Sequence, residues 1–566
     1  MLNSRRDLLA IVALLAITIA QGFYAVKLNR DFYAQHTPFF DSCSYSNQLA
    51  VVANSTRSLG FGAGVRRSLA GNVALPFLEE NLIAKIAAPT RATGVWLQSI
   101  WMIALAISMY LYFAHYRKVD RWLAVLLALP FVSFARVYDW NGGLPDFRMD
   151  LSLYIFASLT VVWYLATYET ESRLPWLLAG FSAMLACLAR AQSPVYLLLM
   201  IGPLFVVRLA TARGQRRAIL VNALWMCLPV AIAAGAFLAY NFKYLYFYYV
   251  TWGADENRHL PLRESATHLY MAASHVGNVL IWCALAAIAI NIVCIRKLQA
   301  PDWKPLWLAL AAPLFLVLRG VGLNPFVTMP AVFGFLLFAC LPFVGIQPAA
   351  RFLWARAMIG ILLAGGAIAC AAAAGQPQMY TGPSVTSMPG MRAVIDRASQ
   401  DARSRGLRRV QFVAPELGDF YSCGIINVLI YEYGATPGDE KNMKGVEHAV
   451  GGMYLPDGLS YLFPDELAFT ASDELFWKIR VAGSSDEEKL GNVVGMMVAD
   501  NPDYLLLPDD ATVKWLEHDR GFYFINMHTR AIVSRLRALN KWVSLGDPVP
   551  VDANEKIEVL APRDIQ

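Results

Sequence analysis

Eleven stretches of the chain stay apolar for roughly the length of a bilayer crossing, and this repetition constrains the fold more than any single motif. A hydrocarbon core about 30 Å thick needs about 20 apolar residues in a helix, because backbone groups in lipid must be hydrogen-bonded within their own segment. The runs cover approximately 7 to 26, 94 to 114, 121 to 137, 149 to 167, 175 to 191, 194 to 209, 219 to 240, 274 to 295, 305 to 323, 328 to 347 and 356 to 374. The third, fifth and sixth are short, so their ends are the least sharply defined. Composition agrees: 57% hydrophobic and 16% charged residues give a mean hydropathy of +0.43. The expected fold class is an α-helical polytopic membrane protein of about eleven transmembrane helices.

Charge sets the expected orientation. The first run follows Arg5-Arg6 and has no small-x-small cleavage pattern after it, which reads as a retained anchor with a cytoplasmic N-terminus. Alternating the spans from there places Arg117, Lys118, Arg121, Arg173, Arg208, Arg213, Arg216, Arg217, Arg296, Lys297, Lys304, Arg351 and Arg356 on the inner side together with Arg5 and Arg6. The outer loops carry Arg148, Arg190, Lys243, Arg258 and Arg263, the asymmetry that the positive-inside rule describes. Three longer segments then face outward: 27 to 93, 241 to 273, and the tail from about 375. The preference for Arg over Lys, with abundant Ala, points to a bacterial cytoplasmic membrane and a periplasmic or extracellular tail.

The expected domains are therefore 1–374, membrane-embedded with outer loops 27–93 and 241–273, and 375–566, a soluble α/β domain. Val410-Gln-Phe-Val-Ala and Tyr504-Leu-Leu-Leu read as buried strands, with helices over 425–433 and 511–518 beside them. Trp542-Val-Ser-Leu and Lys556-Ile-Glu-Val-Leu read as a closing strand pair. A net charge of only +6, spread between apolar runs, argues against nucleic acid as a partner. Six of the eight cysteines lie in apolar runs and no CxxC occurs, so neither a zinc site nor a disulfide framework is indicated, with only a Cys43 to Cys423 bridge left open. There is no internal repeat, GxGxxG, Walker motif or HExxH.

The outer loops hold the polar chemistry. A connector as long as 27–93 is usually functional. It contains Asp41, Tyr45, an amphipathic stretch to Leu59, the turn Gly60-Phe-Gly-Ala-Gly64, and a second amphipathic stretch from Leu75-Pro76-Phe77-Leu78 to Ile86, both suited to lie along a membrane surface. The next loop packs Asp139, Asp146, Arg148 and Asp150 around Gly142-Gly143-Leu-Pro145, and acids at a membrane boundary are costly unless solvated or used. As a plain turn, the same loop would bend at its glycines and use Asp150 to start the following helix. Arg190 ends a span on the side where few cations are expected, and fixed positive charge of bidentate geometry suits a phosphate leaving group, with snorkelling to lipid headgroups as the alternative. In 241–273 the tyrosines fit an interfacial aromatic belt, while Lys243, Arg258 and His259 are secondary candidates for a sugar or phosphate site. Arg319, near the outer end of its span, is of the same kind.

An acid shortly after the first span, a nearby tyrosine, a surface helix, a glycine turn and a Pro-Phe-Leu segment before the second span together resemble the C-type glycosyltransferases (GT-C). Asp41, Tyr45, Pro76, Phe77 and Leu78 carry the match, which covers roughly 1–210. The resemblance implies a polyprenyl-phosphate-linked sugar donor, an acceptor that is a cell-envelope glycan, lipid or protein, and contact with membrane lipid. It implies Asp41 as general base, Asp146 or Asp150 as a second active-site carboxylate, and Arg148 as a group that positions it or contacts phosphate. A carboxylate at the bilayer surface is partly desolvated, which raises its pKa toward the range useful to a base, although Asp is also a favoured helix cap. Asp41-Ser42 stands where many members have two adjacent acids, which leaves a divalent metal, magnesium or manganese, open. The rival function is a multi-pass transporter or a lipid or polysaccharide flippase, whose site would sit near the midplane between broken helices.

Overall fold

A computed structural model describes residues 5–37, 40–71, 73–139, 142–147, 149–212, 214–246, 276–295, 303–319, 329–340, 353–374, 387–413, 421–437, 452–462, 483–498, 501–519, 528–551 and 554–563. Each of the eleven apolar runs contains a helix: Arg5–Tyr33, Thr93–Leu111, Arg121–Val132, Met149–Ala166, Leu174–Ala189, Ser193–Thr211, Arg216–Pro229 continued through Gly235–Tyr240, Asn278–Ile295, Lys304–Arg319, Met329–Ala339 and Leu353–Ala373. Six of the described helices are long and apolar enough to cross a membrane by length and composition, so the chain is a membrane protein. The third run is the most altered: its helix stops at Val132, two residues after Pro130, and Ala135–Tyr138 continues as a 3-10 turn.

The chain divides into two compact units. The first comprises Met1–Leu28, Leu69–Pro76 and Ala92–Met379, and the second Asn29–Ser68, Phe77–Arg91 and Tyr380–Gln566. Most of the first outer loop, expected as part of the membrane domain, thus groups with the tail.

In the first unit, small residues let helices approach closely, the usual basis of packing between apolar helices in lipid. A Cβ on Gly180 would fall 2.3 Å from the Met226 carbonyl oxygen, and one on Gly334 would fall 2.1 Å from that of Leu308. Asp7, buried near the start of Arg5–Tyr33, accepts from Tyr110 Oη at 2.8 Å and from Arg121 Nε at 2.9 Å, joining three helices.

In the second unit, eight strands form one sheet: β1 (Arg409–Val413), β2 (Thr436–Pro437), β3 (Gly452–Tyr454), β4 (Ser460–Leu462), β5 (Tyr504–Pro508), β6 (Trp542–Ser544), β7 (Val549–Pro550) and β8 (Lys556–Pro562). Their order is β2-β3-β4-β1-β5-β8-β6, with β7 also on β8. β1 runs parallel to β4 and β5, and the expected closing pair is present as β6 antiparallel to β8. Tyr504 to Pro508 is buried throughout, as a strand covered on both faces must be. One face carries Met388, Met391, Val394, Ile395, Ile425, Val428 and Leu429 from helices Met388–Ser404 and Tyr421–Tyr431. The other carries Leu490, Val493, Met497, Val513, Ile532 and Leu536 from Asp486–Val498, Asp510–Asp519 and Thr529–Ala538.

The loop after the first apolar run carries the helices Phe40–Ser58, Phe61–Ser68 and Leu75–Ile83; the first, expected as an amphipathic surface helix, is buried from Tyr45 to Ala53. The expected glycine turn is narrower than its sequence: Gly60 alone takes a left-handed conformation (φ +94°), and Gly64 is helical, its missing Cβ admitting the Asn81 and Thr56 side chains. Cys43 is a buried free thiol, which removes the bridge left open to Cys423.

Candidate functional site

The charged centre of the first unit is an ion pair. Arg190 Nη2 lies 2.6 Å from Asp150 Oδ1, and both residues are buried. Asp150 stands in the first turn of Met149–Ala166, where a carboxylate also faces the positive end of the helix dipole. Arg190 is placed by a three-residue turn. Leu174–Ala189 ends, Arg190 is extended (φ −155°), and Ser193–Thr211 starts with Pro194, which cannot continue the preceding helix. The carbonyls freed at that end are satisfied locally. Arg190 N–H and Ser193 Oγ donate to Ala186 O at 2.9 and 2.7 Å, and Ala74 N–H donates to Leu188 O at 2.8 Å.

The loop leading to Asp150 is tightly specified. Asp146 Oδ2 accepts from the Gly142 N–H at 2.6 Å, and Arg136 Nη1 lies 2.6 Å from Asp139 Oδ2. A Cβ on Gly143 would sit 2.3 Å from the Arg136 carbonyl oxygen, so this turn closes only with glycine there. Phe147 adopts a left-handed backbone (φ 32°), and its ring fills the space that a Cβ on Gly94 would need, 2.1 Å away. Strain of this kind persists only where the surroundings enforce it.

Asp146 and Asp150, alternatives for one role in the sequence, have different surroundings: the first accepts from the Gly142 N–H in its own turn, and the second faces a guanidinium. Asp150 and Arg190, each a candidate on separate grounds, come together. Asp41 stands in the first turn of Phe40–Ser58, inside the helix, and its side chain lies outside the described residues. Tyr45 is buried one turn further on, its ring 6.2 Å from that of Phe77. Lys243, in the short helix Phe242–Tyr246, is exposed. Arg148, Arg258 and His259 lie outside the described residues. Among the described residues no three His, Cys, Asp or Glu groups gather as a metal-binding set.

Two residues went unmarked in the sequence. Arg136 sits inside an apolar run yet pairs with Asp139 beside the candidate site. Glu80 is fully buried in Leu75–Ile83, and burial pushes its carboxyl up to about 7 against the weaker pull of Arg57. Phe77, Glu80, Asn81 and Ala84 share one buried helical stripe, which only their burial reveals.

No family model and no curated protein sequence matches the chain. Solved structures similar to it include two of one enzyme. One is the archaeal oligosaccharyltransferase AglB from Archaeoglobus fulgidus in complex with an inhibitory peptide and a dolichol-phosphate, at TM-score 0.49 and 12% identity, covering 94% of this chain and 72% of that one. The other is the Archaeoglobus fulgidus oligosaccharyltransferase tethered through a disulfide to an acceptor peptide containing the NVT sequon, at TM-score 0.44 with the same identity and coverage. At this level of overlap neither assigns a role to any residue of the present chain.

Proposed function

We propose that the protein is an integral-membrane glycosyltransferase of GT-C type that moves a sugar from a polyprenyl-phosphate donor to an acceptor on the outer side of the membrane. The observation that supports it most is the buried Asp150–Arg190 pair at 2.6 Å. Ionisable groups withdrawn from water in a membrane-embedded unit are expensive, and by default they mark function. A guanidinium oriented by a carboxylate is suited to a phosphate oxygen, because its remaining N–H groups keep the fork geometry that phosphate accepts.

In this reading the acceptor oxygen attacks the anomeric carbon opposite the phosphate, the anomeric carbon–oxygen bond breaks, and configuration inverts. The proton of the acceptor hydroxyl goes to a carboxylate base, the role that the sequence resemblance alone gives to Asp41. The electron pair leaves on the donor's phosphate, whose added negative charge Arg190 stabilises, the kind of preorganised electrostatic help that usually supplies the largest share of catalysis. Asp150 acts as a positioning residue, holding Arg190 before the charge develops. Asp146 shapes the loop, and Tyr45 with Phe77 braces the helix that carries Asp41.

The test is transfer of label from polyprenyl-phosphate sugars by the full-length protein in lipid nanodiscs. The expected result is transfer by the wild type and a fall of roughly 100-fold or more in Asp41→Asn, the size of a lost general base. Lipid translocation in vesicles without any transfer would overturn the reading in favour of a flippase, and unchanged transfer in Asp41→Asn would remove Asp41 from the mechanism.

A further inference from the structure

The carboxyl of Glu80 is the most unusual polar group in the second unit. It is fully buried, and among the described residues neither of its oxygens has a hydrogen-bond partner. Most buried polar groups in folded proteins are hydrogen-bonded, and an ionised carboxylate left alone is too costly to keep. The neighbouring cation does not relieve it. Arg57, on Phe40–Ser58, attracts the carboxyl but donates through Nε to Ala84 O at 2.6 Å and through Nη2 to Ala87 O at 2.5 Å, capping the end of Glu80's own helix.

The niche lies where three segments of the second unit meet. From Tyr421–Tyr431 it is faced by Tyr431, whose hydroxyl donates to Ser46 O at 2.7 Å and whose own titration is raised by burial and by Glu80. Beyond Tyr431, the Arg91 guanidinium stacks between the Tyr33 and Tyr431 rings at 5.2 and 5.3 Å and pairs with Glu432 at 3.1 Å. Cys43, on Phe40–Ser58, also faces Tyr431 and Arg91. On Glu80's own helix Asn81 is held by Thr56 at 2.5 Å, Glu79 is partly buried, and Lys85, just beyond the helix, points to solvent. Arg57 and the Tyr431 hydroxyl are turned to other acceptors, and Asn81 Nδ2, like the carboxyl itself, has no hydrogen-bond partner among the described residues.

We propose that Glu80 is a proton-binding site that controls how tightly the segment 77–91 packs against Phe40–Ser58 and Tyr421–Tyr431: protonated, the carboxyl is accepted by its enclosed niche, and ionised, it is driven toward water and loosens that seam. The direction follows from linkage. The closed seam holds the proton to a higher pH than an open one, in which the carboxyl titrates in the ordinary range. The stabilisation is therefore complete below that ordinary range and is lost as pH rises, with the loss levelling off above about 7.

Hydrogen exchange read by mass spectrometry on the full-length protein in nanodiscs tests this between about pH 5 and about pH 8.5, after correction for intrinsic exchange. Peptides from 77–91 and 421–431 are expected to lose protection by up to about tenfold per pH unit until the plateau, as one linked proton requires. Peptides from Met149–Ala166 serve as the control and hold constant. Glu80→Gln, which stays neutral, removes the pH dependence. Glu80→Met, apolar and of similar length, does the same, so the conclusion does not hang on one variant folding. Equal corrected protection across the pH range in the wild type overturns the proposal, as does the same pH dependence in either folded variant.

Discussion

A guanidinium held 2.6 Å from a carboxylate, both withdrawn from water, is stable only while both are present. Removing either partner of Asp150–Arg190 takes this contact from the other. Asp150→Ala and Arg190→Met are each expected to cost about 3–5 kcal/mol, whereas the double variant costs less than the sum because the shared contact is lost only once. Thermal or denaturant unfolding of the purified protein reads this as a double-mutant cycle, and additive losses would show that the pair is not coupled. Both residues could be picked out of the sequence, Asp150 for opening an apolar helix and Arg190 for standing among few outer-side cations. Their pairing could not, because forty residues separate them and only the packing of Met149–Ala166 on Leu174–Ala189 brings them together. Glu80 was harder still, since an acid on an amphipathic helix reads as its solvated face until the burial of Asn81 and Ala84 beside it is known.

At the scale of elements, what lay in local physics was readable. Apolar length located a described helix in each of the eleven runs, and short apolar stretches near turn residues located β1, β5, β6 and β8. What depended on distant contacts was not. Asn29–Ser68 and Phe77–Arg91 belong with the tail, through ties such as Asn427 Nδ2 to Asn47 Oδ1 at 3.0 Å and Asn54 Nδ2 to Pro437 O at 2.5 Å, and no local pattern announces such partners. Phe61–Ser68 was hidden by its glycines, which read as a turn; Gly64 is there because Asn81 occupies the place of its Cβ. β5 is the hinge of the second unit's energetics, because its side chains enter the cores on both faces of the sheet. Leu506→Ala, facing the helices Met388–Ser404 and Tyr421–Tyr431, is expected to cost about 2–5 kcal/mol, measured as a fall in unfolding midpoint. A change within the range of ordinary surface substitutions would mean that this face packs loosely.

Over the whole molecule, the chain joins a helical membrane unit to a second unit built from a three-layer α/β core and helices from the loop after the first apolar run. Chemistry in such a protein must reconcile charge with an apolar surround, and in the first unit the Asp150–Arg190 pair is buried next in sequence to a loop closed by Asp146, Gly143 and Phe147. The account stands on Arg190 acting on charge that develops during transfer. Its most direct test is steady-state transfer from a polyprenyl-phosphate sugar by wild type, Arg190→Lys and Arg190→Ala. The account predicts that kcat falls about 100- to 1000-fold in Arg190→Ala with little change in KM, and that Arg190→Lys recovers only part of it. Full kcat in a folded Arg190→Ala variant would contradict it.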